Sequence, residues 1–404
     1  MNNFWTTPEL KQFHIELTNA CNAACPMCVR FYKNSPLVRP DLEIRQITID
    51  KFKQYFPPDI LHPVAKIMFC GVHGDPCIAR DTLEICEYLL ENTSMKCAIQ
   101  IHTNGGMRNT EWWTKLGKIF SNRNQLNWDC WRVIFSIDGL KDTNHLYRRN
   151  VEWDKLTANA QAFIDAGGNA AWEYLIFKHN EHQIEEAEEL SKKMGFKMFI
   201  PKKALGVAYG DKLKPLPAVN KEGKLEYIIE APTLAKHRNV EHPTGTLETT
   251  YQEFKVEDYR KLKISKSNEN YQDKVNIVYD QLKSYSWEKL DNCEIKCKAG
   301  KDWGAKEIFI DSDGKILPCC YIGTQLNGTH TDLKSLQLHK HINDYGWDNF
   351  DLNKHTIKEI IDAGHLDRVF ADSWTKDSVR SGKMAYCSEI CGEESRIDRV
   401  YFKK

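Results

Sequence analysis

The chain has no net charge to advertise a polyanionic partner: Lys and Arg number 56, and so do Asp and Glu. That balance argues against a globally basic nucleic-acid binder and leaves only local patches to consider. The opening Met1–Thr7 is short and polar, and no apolar run approaches the ~18 residues of a membrane span, so neither export nor membrane insertion is expected. Internal repeats and low-complexity tracts are missing as well. Cysteine is absent from the stretch between Cys130 and Cys293, yet the chain carries 14 of them, eight before that gap and six after it. So many thiols without a secretory signal point to a reducing, cytoplasmic setting, where they serve metals or catalysis more often than disulfides. At 404 residues, two or three domains are expected.

The first half alternates short apolar runs with amphipathic segments, the pattern of an α/β protein with a mostly parallel sheet. Strands are expected at Gln12–Leu17, Ala65–Cys70, Cys97–His102, Trp131–Ile137, Ala170–Phe177 and Phe196–Ile200. The run AKIMFC reads as a strand buried on both faces. Thr48 is placed to cap a helix through Phe56. Asp81 and Glu84 form a D-x-x-E variant of the capping box. Helices are expected at Thr110–Phe120, at Asp154–Ala166 with Gly167 as its stop, and at Glu181–Met194 with Gly195 as its stop. Polar or glycine-containing turns follow most strands, the end at which parallel β/α barrels assemble their chemistry. From 211 to 290 the pattern gives way to a charged connector or substrate-covering insertion, with a solvated linker as the alternative. IFIDSDGKILPCC then reads as a hairpin turning at Ser312-Asp313-Gly314.

The sharpest motif is CNAACPMC, which sets Cys21, Cys25 and Cys28 just after the first strand. Three thiolates are one short of a structural zinc site, although zinc with a histidine such as His14 would complete four ligands. On a [4Fe–4S] cluster, three thiolates leave one iron free for an exogenous ligand.

The C-x3-C-x2-C spacing at a strand-to-loop junction resembles the cluster loop of the radical S-adenosylmethionine (SAM) enzymes. Met27 stands where an aromatic residue is common, and its thioether would pack on the adenine. Gly71-Val72-His73-Gly74-Asp75-Pro76 resembles the family's Gly-Gly-Glu-Pro turn. It implies that Gly71, His73, Gly74, Asp75 and Pro76 hold the methionine ammonium of SAM on an exposed turn. Thr103-Asn104-Gly105 and Ser136-Ile137-Asp138-Gly139 are similar to the family's other strand-end motifs, which adds Asn104, Ser136 and Asp138 to the cofactor pocket. HLYRRN is similar to a recurrent stretch after the fourth strand. There Arg148 is a candidate for a forked pair with a carboxylate, a surface salt bridge being the reading for at least one of Arg148 and Arg149. His179 and Asn180 are candidates to face substrate or, on the plainer reading, to form a helix-start turn. The resemblance covers roughly residues 10 to 205 and implies a partial (β/α)6 TIM-like barrel over 1–210.

The distal cysteines resemble the auxiliary-cluster extension called SPASM or, in its shortened form, Twitch. This implies a small α+β domain over 291–404, carrying the hairpin and one auxiliary [4Fe–4S] cluster on Cys297, Cys319, Cys387 and Cys391. Cys293 and Cys320 are the alternates, and a zinc ribbon is the competing reading. Cys70, Cys77, Cys86, Cys97 and Cys130 are expected to pack in the core. The implied activity is reductive cleavage of SAM to a 5′-deoxyadenosyl radical that removes a substrate hydrogen atom. An external reductant such as flavodoxin or ferredoxin would supply the electron. About eleven residues precede the first strand, so a fused N-terminal peptide-recognition domain is not expected. That places a small molecule such as a sugar or aminocyclitol slightly ahead of peptide or protein modification. A non-catalytic iron–sulfur electron carrier or a zinc-binding protein is the alternative from another class.

Overall fold

The computed structural model describes residues 4–40, 42–124, 130–249, 251, 253–259, 287–297, 299, 306–326 and 333–392. Part of the charged 211–290 segment therefore lies outside the described residues. Strands and helices alternate from the start: β1 (Leu10–Ile15), α1 (Ile49–Tyr55), β2 (Lys66–Phe69), α2 (Thr82–Asn92), β3 (Ala98–Thr103), α3 (Thr110–Asn124), β4 (Trp131–Ser136), α4 (Trp153–Asp165), β5 (Ala170–Ile176), α5 (Ile184–Met194) and β6 (Met198–Lys203). A two-stranded ribbon follows, β7 (Leu216–Val219) with β8 (Leu225–Ile229). The C-terminal part contributes β9 (Lys306–Ile310), β10 (Ile316–Leu317), α6 (Cys320–Leu326), α7 (Leu333–Tyr345) and α8 (Ala385–Cys391).

The six expected strands form one parallel sheet in sequence order, as a partial TIM-like barrel requires, and the hairpin adds to it. β9 lies parallel to β1, pairing His14 with Phe309, and β10 closes the edge antiparallel, so the order is β10-β9-β1-β2-β3-β4-β5-β6. The expected hairpin is thus an extension of the barrel sheet. Its turn is built by Asp311, whose carboxylate accepts the Asp313 and Lys315 N–H groups at 3.0 and 2.9 Å. Gly314 supplies the φ of 84° that the turn needs.

Local signals mostly act as expected. Thr48 caps α1 by accepting from the Lys51 N–H at 3.3 Å. Gly167 and Gly195 stop α4 and α5 with φ of 88° and 92°. The D-x-x-E box does not form, because Asp81 turns away from its own helix. Its carboxylate accepts the Ile49 N–H at 3.0 Å and pairs with Arg80, tying α2 to α1.

The two faces of the sheet differ in kind. Trp131, Phe135 and Trp172 point to the helices and are fully buried, with Phe120 edge-on to Trp131, Phe163 edge-on to Phe135 and Trp113 tilted against Phe135. Each such side chain contributes on the order of 2–3 kcal/mol by leaving water. The other face corrects the reading of AKIMFC: β2 and β3 bury every second residue only, and Lys66, Met68, Gln100 and His102 stay half-buried. Closed barrels fill this space with branched apolar side chains. Here it remains polar, with Lys202 and Glu173 paired across it at 2.5 Å. Among the described residues no helix is long and apolar enough to cross a membrane.

Candidate functional site

The loop from Thr18 to Cys28 leaves the end of β1 and is pinned by its neighbours. The Gly71–Pro76 turn after β2 packs on it so closely that a Cβ on Gly74 would lie 1.7 Å from the Thr18 carbonyl oxygen. Gly71 is equally constrained, since its Cβ would lie 2.1 Å from the Gly74 oxygen. The Asp75 N–H donates to the Ala20 carbonyl at 2.8 Å and the Ala24 N–H to the Arg149 carbonyl at 2.9 Å. From beneath, the buried Arg30 guanidinium donates to the Asn19 carbonyl.

This framework crowds three thiols. Burial raises the Cys21 thiol well above its usual range, followed by the charges of Asp75, Cys25 and Cys28. Burial and then Cys25 push Cys28 up to about 12. Cys25 is raised by burial, while Arg148 acts in the opposite direction. Three thiols packed this tightly become thiolates only beside a strong positive charge, and metal binding releases such protons. Two donors already face the sulfurs: Asn104 Nδ2 lies 3.7 Å from Cys21 Sγ and Arg148 Nη1 lies 3.8 Å from Cys25 Sγ.

Among the described residues, no three His, Cys, Asp or Glu side chains converge as ligands of a single metal ion. His14 is not gathered with the three thiols into such a set; its Nε2 lies 2.5 Å from the Cys70 carbonyl and its ring meets Phe309 edge-on. A cluster makes a different demand, since each thiolate takes its own iron and the sulfurs need not meet at one point.

The acid of the turn lies elsewhere than its motif suggests. Asp75 is buried, and its carboxylate accepts from Thr103 Oγ1 at 2.9 and 3.0 Å, Asn104 N at 2.8 Å, Asn104 Nδ2 at 2.7 Å and Cys77 N at 3.0 Å. The expected exposed carboxylate is instead a brace that joins the ends of β2 and β3 and aims Asn104 at Cys21. Pro76 begins the short turn that Asp75 caps. The His73 N–H donates to Glu16, a residue that motif reading passed over, at 2.6 Å, and the Gly74 N–H does so at 3.2 Å.

Asp138 is likewise internal. Its carboxylate accepts from Arg148 Nε at 2.6 Å and from Leu175 N at 2.6 Å, so the Arg148 candidate meets a protein carboxylate. Arg149 forms the more exposed contact, with Glu226 at 3.0 Å. Asn180 is fully buried and ties its turn by donating to the Asp138 and Leu175 carbonyls at 2.9 Å, the plainer of its two readings. His179 stacks on Phe177, and burial holds its imidazole down at about 4. Ser136 is half-buried at the end of β4, and Met27 packs against Gly206 just beyond β6.

The distal cysteines sort themselves. Cys387 and Cys391 are four apart on α8 and share a face. The Lys296 N–H donates to the Cys391 carbonyl at 3.0 Å, and Ile295 bridges to Gly392, which brings Cys297 alongside. After burial, Cys297 is raised by the charge of Cys391, and Cys319 by Cys320, Cys297 and Cys387. Cys387 is raised in turn by Cys297 and Cys391. Cys297, Cys319, Cys387 and Cys391 therefore gather as one group. Cys293 turns away to donate to the Ser388 carbonyl at 3.4 Å, and Cys320 faces Cys70 and Glu307. Cys77, Cys86 and Cys97 are buried core residues.

Motif reading also missed the polar inner face of the sheet. His102 there has Glu173, Lys202, His14 and Lys66 as its titratable neighbours, and burial lowers it to about 4. The signal was present as polar residues two apart, such as Gln12 with His14 and Gln100 with His102.

No protein-family model and no curated protein matches this chain. Among solved structures, Streptococcus suis SuiB bound to S-adenosylmethionine is similar over 78% of this chain and 61% of its own length, at 15% identity and a TM-score of 0.41. The chain thus spans less than two thirds of SuiB. Native anSMEcpe with bound AdoMet is similar over 92% of this chain and 88% of that one, at 16% identity and a TM-score of 0.45. The same protein with AdoMet and the Kp18Cys peptide matches over the same shares, at 17% identity and a TM-score of 0.45. Likeness at this level carries no functional weight.

Proposed function

We propose that this chain is a radical SAM enzyme with one auxiliary cluster. Cys21, Cys25 and Cys28 would hold a [4Fe–4S] cluster whose fourth iron takes SAM, and Cys297, Cys319, Cys387 and Cys391 would hold a second [4Fe–4S] cluster. The observation that carries this reading is the crowding of three thiols, and no fourth among the described residues, at the mouth of a polar-lined barrel. When bound, SAM and its cluster supply one-electron cleavage of a sulfonium C–S bond and, through it, hydrogen-atom abstraction from substrate.

The chain's own part is binding and orientation. Asn104 and Arg148 direct N–H groups at the cluster sulfurs, where they favour the thiolate form. The Gly71–Pro76 turn offers backbone rather than the Asp75 carboxylate to the SAM ammonium. Gln12, His14, Gln100, His102 and the Glu173–Lys202 pair face the lumen, where substrate would lie. Apart from the Lys66 ammonium on the same face, their groups are neutral or mutually paired, which suits polar molecules rich in hydroxyl or amide groups, such as sugars and aminocyclitols. Residues 1–210 form the catalytic unit in this reading, 211–290 its cover, and 291–404 the auxiliary part, with a flavodoxin or ferredoxin as electron donor in a cytoplasmic setting.

The experiment uses protein purified and reconstituted anaerobically, with dithionite and SAM, and follows 5′-deoxyadenosine by mass spectrometry. Perdeuterated sugars and peptides are then screened for deuterium transfer into that product, which decides between small-molecule and peptidyl substrates. Stoichiometric zinc, little iron and no SAM cleavage would reject the proposal.

A further inference from the structure

A cavity lies beside the Gly71–Pro76 turn, and no cysteine lines it. It measures about 340 Å³, near the lower end of small-ligand sites, is open on one side, and is lined by the β1 end, Asn19, residues 42–45, the β9–β10 turn, Leu326 and Trp347. Four carboxylates line it, Glu16, Glu43, Asp311 and Asp313, against two basic groups, Arg45 and Lys315. Both basic groups are already engaged: Lys315 pairs with Asp351 at 2.5 Å, and Arg45 pairs with Glu43.

Two of the carboxylates are buried. Glu16 spends one oxygen on the His73 and Gly74 N–H groups, and Asp311 spends one on the Asp313 and Lys315 N–H groups. Among the described residues no hydrogen bond ties down the second oxygen of either, and both remain open to solvent. An independent observation points the same way. The His73 side chain is 1% exposed and lines this cavity, yet neither ring nitrogen has a hydrogen-bond partner, Nδ1 lying 3.9 Å from Glu16. Buried polar atoms are normally satisfied, so such a group marks a place where a ligand donor belongs.

We infer that this cavity binds a small organic cation, a primary ammonium or guanidinium group, between Glu16, Asp311 and His73, with Trp347 on its flank. Such a group carries several N–H donors in different directions, which matches separated acceptors. A bare metal ion does not fit, because no three ligating side chains among the described residues converge on one point. Trp347 adds an aromatic face, on which cations are favoured. Burial pushes the Asp311 carboxyl up to about 7, as expected of an acid short of a counter-charge. The cavity shares the Gly71–Pro76 turn, through His73, with the proposed SAM site, but binding in it requires neither SAM nor a cluster.

The test is titration of the full chain, followed by ligand-observed NMR, with ethylammonium chloride, Nα-acetyl-lysine N-methylamide and the neutral Nα-acetyl-norleucine N-methylamide. Saturable binding of the cations but not of the norleucine amide is expected, with affinity falling about tenfold in Asp311→Asn. Tighter binding of the lysine amide than of ethylammonium would assign the cavity to a peptide side chain, and equal binding to a free amine; both support the inference. Asp313→Asn, on the half-exposed hairpin tip, is the second variant should Asp311→Asn not fold, and about threefold weakening is expected there. No saturable binding, equal binding of the norleucine amide, or unchanged affinity in the folded variants overturns it. Neither cluster nor SAM is needed for the measurement, so its failure leaves the proposed function standing.

Discussion

Arg148 and Asp138 form a buried ion pair: Nε donates to Oδ2 at 2.6 Å, and the Asp138 side chain has no exposure. The pair fixes the guanidinium so that Nη1 reaches Cys25. A cation donating toward a cluster thiolate stabilises the reduced, more negative cluster and raises its potential. Arg148→Met should therefore lower the midpoint potential of the proximal cluster in the reconstituted protein, followed by electron paramagnetic resonance during redox titration. It should also cost about 3–5 kcal/mol of stability, because Asp138 is left charged and unpaired. Arg148→Met combined with Asp138→Asn should recover part of the stability but not the potential. An unchanged potential in Arg148→Met would remove Arg148 from this role.

Asp75 offers a contrast between motif and geometry. Were it a direct ligand of the SAM ammonium, Asp75→Asn would weaken SAM binding and leave the apo fold intact. The hydrogen bonds from Thr103, Asn104 and Cys77 predict something else. Asn keeps one acceptor but brings an NH2 against those donors, which should cost on the order of 1–3 kcal/mol. Denaturant unfolding of the apo protein measures this directly. Equal midpoints for the two apo proteins, with SAM affinity lost, would restore the ligand reading.

What was legible in the sequence follows from how local each signal is. The strands, the Thr48 cap, the glycine stops and the Asp311–Gly314 turn depend on a few adjacent residues, and they lie where pattern reading puts them. Only the family resemblance singles out Cys297, Cys319, Cys387 and Cys391 as a set, since no local signal links residues so far apart. Where the structure differs from local reading, in the burial of Asp75, the capping by Asp81 and the strand AKIMFC, the cause is a partner distant in sequence. Asp81 is taken by the Ile49 N–H and Asp75 by β3, neither of which adjacent residues announce. In β2, charge at Lys66 is tolerated only because the inner face is open, a property of the whole sheet. Periodicity could have shown the alternation, but not which face was wet.

The two cysteine groups should behave as independent iron sites. Cys21, Cys25 and Cys28 are coupled to one another and to Asp75, Asp138 and Arg148, whereas the distal four are coupled among themselves. Wild-type protein should bind about eight irons, and Cys21→Ala and Cys319→Ala about four each. Cys293→Ala and Cys320→Ala should retain the full count, since Cys293 is hydrogen-bonded to the Ser388 carbonyl and the charges acting on Cys320 come from Cys70 and Glu307. Iron analysis beside the Mössbauer spectrum checks this, and a loss of iron in Cys320→Ala would shift the ligand set to include it.

His14 gives the pH prediction a definite sign. Burial lowers its folded-state value to about 4, against an ordinary value of 6.5. Above pH 6.5 the imidazole is neutral in both states and contributes no pH dependence. As pH falls from 6.5 toward 4 the unfolded chain takes up a proton that the folded chain refuses, so stability is lost across that window. The full shift corresponds to on the order of 3 kcal/mol. Other groups titrate in the same range, Asp311 with the opposite sign, so the wild-type curve alone does not isolate His14. Comparison with His14→Gln does, because the remaining groups are common to both proteins. Urea unfolding of the apo proteins at pH 7 and pH 4.5 should show the variant gaining about 2–3 kcal/mol on wild type over that interval. A constant difference between the two would mean that His14 is protonated in the folded state, with its Nδ1 facing an acceptor rather than the unpartnered space found here.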